Sequence, residues 1–283
     1  MMQAQYDGAQ CRRDPNSTQQ ALIRHNGLVF YGLAAASFLE TAVPLHATTL
    51  LQVFATDPEV QRWLEETWWR TKIAHGREAR AYIEATWPEF DWCGAYAGFY
   101  DAYRPLVCAA RDFRSPAREA LVRSVAAAQA SAFYRCLGNT SDHAGLRSML
   151  HRMAADESVH FAGFRRLFAR LEHNNRFGVL MAYKTIVECA QRARDVDVRL
   201  SYSHLGAAHW YGGVPFPELE YREFVQRMGN VVRRHLPLGP AQRILFRPWW
   251  QARRLATPAA PAPRLVPRPR PVAGRPLQAH GAP

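Results

Sequence analysis

The sequence predicts an all-α protein, and three observations predict it. Apolar residues recur at i, i+3 and i+4 spacing from Gln19 to about Trp249. Period-two alternation, the mark of half-buried strands, is nearly absent over the same stretch. Helix-breaking residues fall between the periodic segments: Asp57-Pro58, Ser115-Pro116 and Gly138-Asn139-Thr140-Ser141.

Taken in order, the candidate helices are 19–35, 37–55, 58–85, 92–110, 115–137, 143–172, 176–195 and 217–235. Asp57-Pro58 and Ser115-Pro116 each read as a start: a capping side chain, then a proline at the first helical position, where no N–H is needed. Gly138 to Ser141 is a stop and restart, and Gly206 to Pro217, with Gly212-Gly213, Pro215 and Pro217, is a loop. The aromatic residues Trp63, Trp68, Trp69, Phe133, Phe161, Phe164 and Phe168 stand at helical spacing and belong to a core. The implied organisation is a flexible N-terminus (1–18), a helical domain (19–250) and a Pro/Arg-rich tail (251–283) expected to be disordered.

Composition narrows the function classes. The chain has 283 residues, 48% hydrophobic and 21% charged, which is ordinary for a globular protein. No apolar run reaches the ~18 residues of a membrane span, and no secretion signal is visible, so a cytoplasmic location is expected. The five cysteines (Cys11, Cys93, Cys108, Cys136, Cys189) form no Cys-x-x-Cys, which argues against a disulfide framework and against a zinc site. The net charge is +12, and Arg253, Arg254, Arg264, Arg268, Arg270 and Arg275 in the tail stand without an acid among them. No nucleic-acid motif accompanies that charge. A basic surface suits an acidic carrier protein equally well.

The chemistry-bearing stretch is Met153-Ala154-Ala155-Asp156-Glu157-Ser158-Val159-His160. Positions i and i+3 share a helix face, so Glu157 and His160 point at one spot. Other helices offer inward polar residues to meet them: Glu40 on 37–55, Lys72 and His75 on 58–85, and Gln129 on 115–137. His46 and His151 lie six residues from Glu40 and Glu157, off their faces, and Glu78 offers a carboxylate only in reversed order after His75. Lys72 stands out by type: the chain has two lysines, Lys72 and Lys184, against 36 − 2 = 34 arginines.

These motifs resemble the soluble acyl-(acyl-carrier-protein) desaturases over roughly residues 20–235. Ala154-Ala155-Asp156-Glu157-x-x-His160 is similar to that family's fourth-helix motif, and Trp68 followed by His75-Gly76 to its second-helix pattern. Glu40-x-Ala42-x-Pro44 is similar to its first helix, and Ala208-His209 and Gln226-Arg227-Met228-Gly229 to later segments. The resemblance implies a ferritin-like four-helix bundle core with additional helices, in a homodimer. It implies two irons, oxygen and a ferredoxin-type electron donor, which insert a double bond into an acyl chain on acyl carrier protein. Carried over residue by residue, Glu40, His75, Glu157 and His160 match metal ligands. The bridging glutamate of the second helix falls on Lys72, and the third-helix glutamate on Gln129, or on Ala130 in the other register. The expectation is an acyl-carrier desaturase-like iron oxidoreductase holding at most one iron. The alternative is a metal-poor homologue that binds an acyl chain or its carrier. Lys72 is expected to be charged and paired with Glu157, since a buried carboxylate without its cation needs a partner.

Overall fold

Residues 22–109, 115–175 and 178–235 are described by the computed structural model, and among them helices account for nearly everything. One isolated antiparallel bridge, Phe90 with Trp210, is the sole strand-like pairing among the described residues. The all-α expectation is therefore met. The expected flexible N-terminus 1–18 and tail 251–283 lie outside the described residues.

Helix α1 (Gly27–Thr41) begins where the Asn26 side chain accepts from the Val29 N–H, and is buried almost all round. A helix apolar on every side belongs in the middle of a structure, not on its surface. It gives way to α2 (Val43–Val53) with a 43° bend. This corrects the expected boundary after residue 35: the break falls at Ala42, two residues before Pro44, whose missing N–H cannot continue the ladder. Glu40 consequently sits in the last turn of α1, not inside 37–55.

The third segment runs as α3 (Pro58–Trp63), a π-helical stretch (Leu64–Trp69) and α4 (Arg70–Thr86). The Asp57 side chain caps it by accepting from the Val60 N–H. The π stretch re-phases the helix just before Lys72, so Lys72 and His75 reach α1. Gly76 permits the approach, because a Cβ there would lie 3.0 Å from Thr41 Oγ1 and 3.1 Å from the Thr41 nitrogen. Helix α5 (Trp92–Ala109) docks through Trp92 Nε1, which donates to Ser37 Oγ at 2.9 Å.

Helices α6 (Pro116–Asn139) and α7 (Ala144–Asn175) form a long hairpin, the first capped by Ser115 as the sequence predicts. Ser131 Oγ ties the pair by donating to the Ala154 carbonyl at 2.7 Å. The chain continues through α8 (Val179–Arg192), a second π stretch (Ala193–Val198) and α9 (Arg199–Ser203). After a 3-10 turn (Ala207–His209) comes α10 (Tyr221–His235), which begins four residues later than the expected 217. No single described helix is long and apolar enough to cross a membrane; α1 and α2 pass that test only as a bent pair.

The core consists of two apolar clusters. One gathers Phe38, Ala79, Tyr134 and Ala154; the other gathers Val43, Trp68, Ala120 and Phe164. On each of the long segments the chemistry-bearing side chains lie between the two. Glu40 falls between Phe38 and Val43, Lys72 and His75 between Trp68 and Ala79, Gln129 between Ala120 and Tyr134, and Glu157 and His160 between Ala154 and Phe164. Among the described residues the polar side chains thus form a layer where the two apolar clusters meet.

Candidate metal centre

Glu40, His75 and Glu157 converge in that layer, each with a ligand atom within 4.8 Å of the others, and all three are buried. This group could hold a metal ion. His160, also buried, places Nδ1 3.3 Å from Glu157 Oε1. Three of the four expected residues therefore meet in one group, and His160 touches it only through Glu157, its neighbour on the same helix.

Lys72 stands among them. Its ammonium lies 2.6 Å from Glu40 Oε1 and 2.8 Å from Glu157 Oε1. The expected pairing with Glu157 is present, and the sequence did not reveal the second partner, Glu40. Burial opposes the ammonium, but the charges of Glu157 and Glu40 outweigh it and hold Lys72 above the ordinary lysine range. Burial likewise opposes ionisation of Glu157, but the Lys72 charge and the His160 hydrogen bond hold its carboxyl below the ordinary range. Lys72, Glu40 and Glu157 are accordingly an ion-paired triad in the core.

Two further contacts were not foreseen. Tyr134 donates to Glu40 Oε1 at 2.5 Å, and burial followed by the charges of Glu40 and Glu157 holds its phenol well above the ordinary value. Asp156 Oδ2 lies 3.0 Å from His75 Nε2. A carboxylate only accepts, so Nε2 carries the proton. His75 Nδ1 then faces Glu157 Oε1 at 3.6 Å without a hydrogen-bond partner, and Glu40 Oε2 is buried without one as well. A histidine whose outer nitrogen donates to a carboxylate while its inner nitrogen faces other ligand atoms is arranged as metal ligands usually are. Two atoms each about 2.1 Å from a tetrahedral ion lie roughly 3.4 Å apart, close to the separation of His75 Nδ1 and Glu157 Oε1.

A pair of ions does not fit these residues. The second would need carboxylates where Lys72 and Gln129 stand, and it would meet an ammonium already hydrogen-bonded to two of the remaining carboxylates. Glu78 is directed elsewhere, to Arg152. His151 meets Asn139 Oδ1 at 2.9 Å and is not in the cluster.

Beside the triad lies a cavity of about 250 Å³, walled by α1, α2, the first π stretch, α4, α5, α6, α7, the α8–π stretch and α10. Its lining is mostly apolar, and Lys72, Glu40 and Gln129 are among its polar members. Trp68 and Phe133, read from sequence as core, border it as well. Along α6 the wall runs from Val122 to Phe133, which at 1.5 Å per residue is roughly 17 Å. A second polar group closes one end: Arg123 NH2 meets His46 Nδ1 at 3.2 Å, and His46 Nε2 meets Tyr103 Oη at 3.0 Å.

Comparison with protein-family models, with curated proteins and with solved structures gives no match to this chain.

Proposed function

We propose that this protein binds an acyl chain presented by an acidic carrier protein. In this reading it is built like the acyl-carrier desaturases, a ferritin-like bundle, with a lysine ammonium where one of two irons would stand. The observation that carries the reading is Lys72, hydrogen-bonded to both Glu40 and Glu157 beside a long apolar cavity. Buried carboxylates need a positive partner, and a lysine built into the chain supplies it permanently. The cavity has the length and apolar walls suited to an acyl chain. The net charge of +12 favours an acidic carrier. On this reading the residues do not support two-iron desaturation.

A second reading has its own support. His75 Nδ1 and Glu40 Oε2, both without hydrogen-bond partners, suit a single ion shared with Glu157. If that ion is iron, it would supply oxygen chemistry beside the chain, and the protein would be an oxidoreductase of the same substrate class.

Metal analysis together with calorimetric titration of acyl-loaded acyl carrier protein separates these readings. The proposal predicts binding that depends on the acyl group, and at most one metal ion per chain. Two tightly bound irons with conversion of the acyl chain to an alkene would replace it with a full desaturase. Absence of acyl-dependent binding would remove both.

A further inference from the structure

The triad leaves one hydrogen-bond donor unused. A lysine ammonium has three N–H groups. Lys72 makes two hydrogen bonds, to Glu40 Oε1 and to Glu157 Oε1. Of the three side chains Lys72 is the one most open, at 12% against 5% and 2%, and it lines the cavity. No third hydrogen bond from Lys72 is made among the described residues.

The charge of the triad limits what can complete it. Two carboxylates and one ammonium sum to −1 when the histidines are neutral, so a second anion at this place is repelled. A ligand cation would be brought up against Lys72 itself. A neutral oxygen is the chemistry that remains. The position also matters: Lys72 meets the cavity part-way along its wall, since its partner Glu40 lies between Gly32 and Thr49, which line it on α1 and α2.

We propose, resting on the acyl reading above, that the cavity is built for a chain carrying a ketone or hydroxyl oxygen part-way along its length, which accepts the third N–H of Lys72. Such a chain completes the ammonium's hydrogen bonding. An unsubstituted chain lays methylenes against it and leaves a desolvated donor unpaired. Sites built around a buried polar group reject ligands that cannot pair with it. A hydrogen bond to a charged group corresponds to a preference of roughly ten- to hundredfold.

The test uses the full-length protein and three pantetheine thioesters as probes: myristoyl, and its mid-chain keto and hydroxy derivatives. Affinities are measured by titration calorimetry, and the infrared stretch of the bound mid-chain ketone is recorded. The expected result is binding of the keto and hydroxy probes ten- to hundredfold tighter than the plain one, with the ketone stretch moved to lower frequency than in an apolar solvent. The frequency requires no variant, so it stands even if Lys72→Met fails to fold. Where Lys72→Met folds, the preference should vanish in it. Equal affinities for the three probes with an unmoved ketone stretch overturn this inference and leave the acyl reading intact. Failure of all three probes to bind overturns the acyl reading and this inference with it.

Discussion

Two buried polar networks border the same cavity, and they are built on opposite principles. The one at the cavity end runs from Glu119 through Arg123, His46 and Tyr103 to Asp197 and Arg192. Its charges balance: two carboxylates, two guanidinium groups. Arginine only donates, so His46 Nδ1 accepts from Arg123 and Nε2 carries the proton toward Tyr103. Tyr103 in turn has Asp197 as a hydrogen-bond partner, and burial followed by the Asp197 charge keeps its phenol neutral well above the ordinary range. The network around Lys72 has one carboxylate more than it has fixed cations, and it leaves Glu40 Oε2 and His75 Nδ1 without hydrogen bonds. A chain of groups whose formal charges balance holds helices together. A triad short of one positive charge, with buried ligand atoms left over, is a group that could hold a metal ion.

The largest effect that could break this comparison is expected from Lys72→Met. Removing the ammonium strands two carboxylates at 5% and 2% exposure, and breaking a buried ion pair from one side costs about 3–5 kcal/mol. Urea unfolding checks this; a loss under ~1 kcal/mol would mean that the triad is not the core ion pair described. Arg123→Met should also destabilise, because Glu119 is fully buried. The two variants should then part company on adding Mn²⁺. An ion at a hundred times its dissociation constant stabilises by about 2.7 kcal/mol. Lys72→Met should gain melting temperature, and Arg123→Met should gain no more than the unmodified protein. Equal responses would erase the distinction between the networks.

The double variant Lys72→Glu with Gln129→Glu sharpens the same point. It replaces the ammonium by a carboxylate and adds another, so iron content should rise toward two per chain. No gain in metal would show that these two positions cannot act together as ligands.

How much of this centre could be read from the sequence depends on the distance over which its causes act. Glu157 with His160 and Lys72 with His75 are i, i+3 pairs, and helical periodicity alone puts each pair on one face. Glu40 was found as well, but its helix was broken in the wrong place. The expected boundary after residue 35 falls inside a continuous helix, and the break is marked by Pro44. Tyr134 carries no mark in the sequence that sets it apart from the core aromatics; it lies one turn beyond Ala130, the alternative register for the third-helix position. Asp156 stood inside the quoted motif without a role, since adjacent residues on a helix point about 100° apart and it reaches His75 from the flank. The His46–Tyr103–Arg123 network joins three helices far apart in sequence, and the two π stretches shift register without a compositional mark. Local periodicity carries no trace of either.

Smaller effects test individual links. Tyr134→Phe removes a hydrogen bond to a charged acceptor and should cost about 1.5–3 kcal/mol in urea unfolding. No loss would show that Glu40 does not rely on it.

The pH dependence follows from the directions of the shifts. Glu157 has a depressed folded value, so its contribution is present above the unfolded carboxylate range, about 4.3, and is lost as pH falls through its lower folded value. Lys72 has a raised folded value. Its contribution is present below about 10.4 and is lost as pH rises through the higher folded value. Lys72→Met should lose the alkaline fall, and on the acid side its slope should reverse, because protonation relieves the stranded buried carboxylates; curves parallel to those of the unmodified protein would sink the linkage. The smallest change is expected for Asp156→Asn, at under ~1 kcal/mol, because Asp156 is 40% exposed.

The central claim is that Lys72 is a charged ammonium held by both Glu40 and Glu157, and the composition allows it to be watched directly. With only Lys72 and Lys184 in the chain, ¹⁵N-lysine labelling gives two side-chain signals, assigned with Lys184→Arg. Lys184 is 66% exposed, so its protons exchange rapidly with water. The account predicts that the Lys72 signal is a slowly exchanging ammonium that does not titrate as pH is raised through the ordinary lysine value of about 10.4. A Lys72 signal that exchanges as fast as Lys184, or titrates at or below that value, would contradict it.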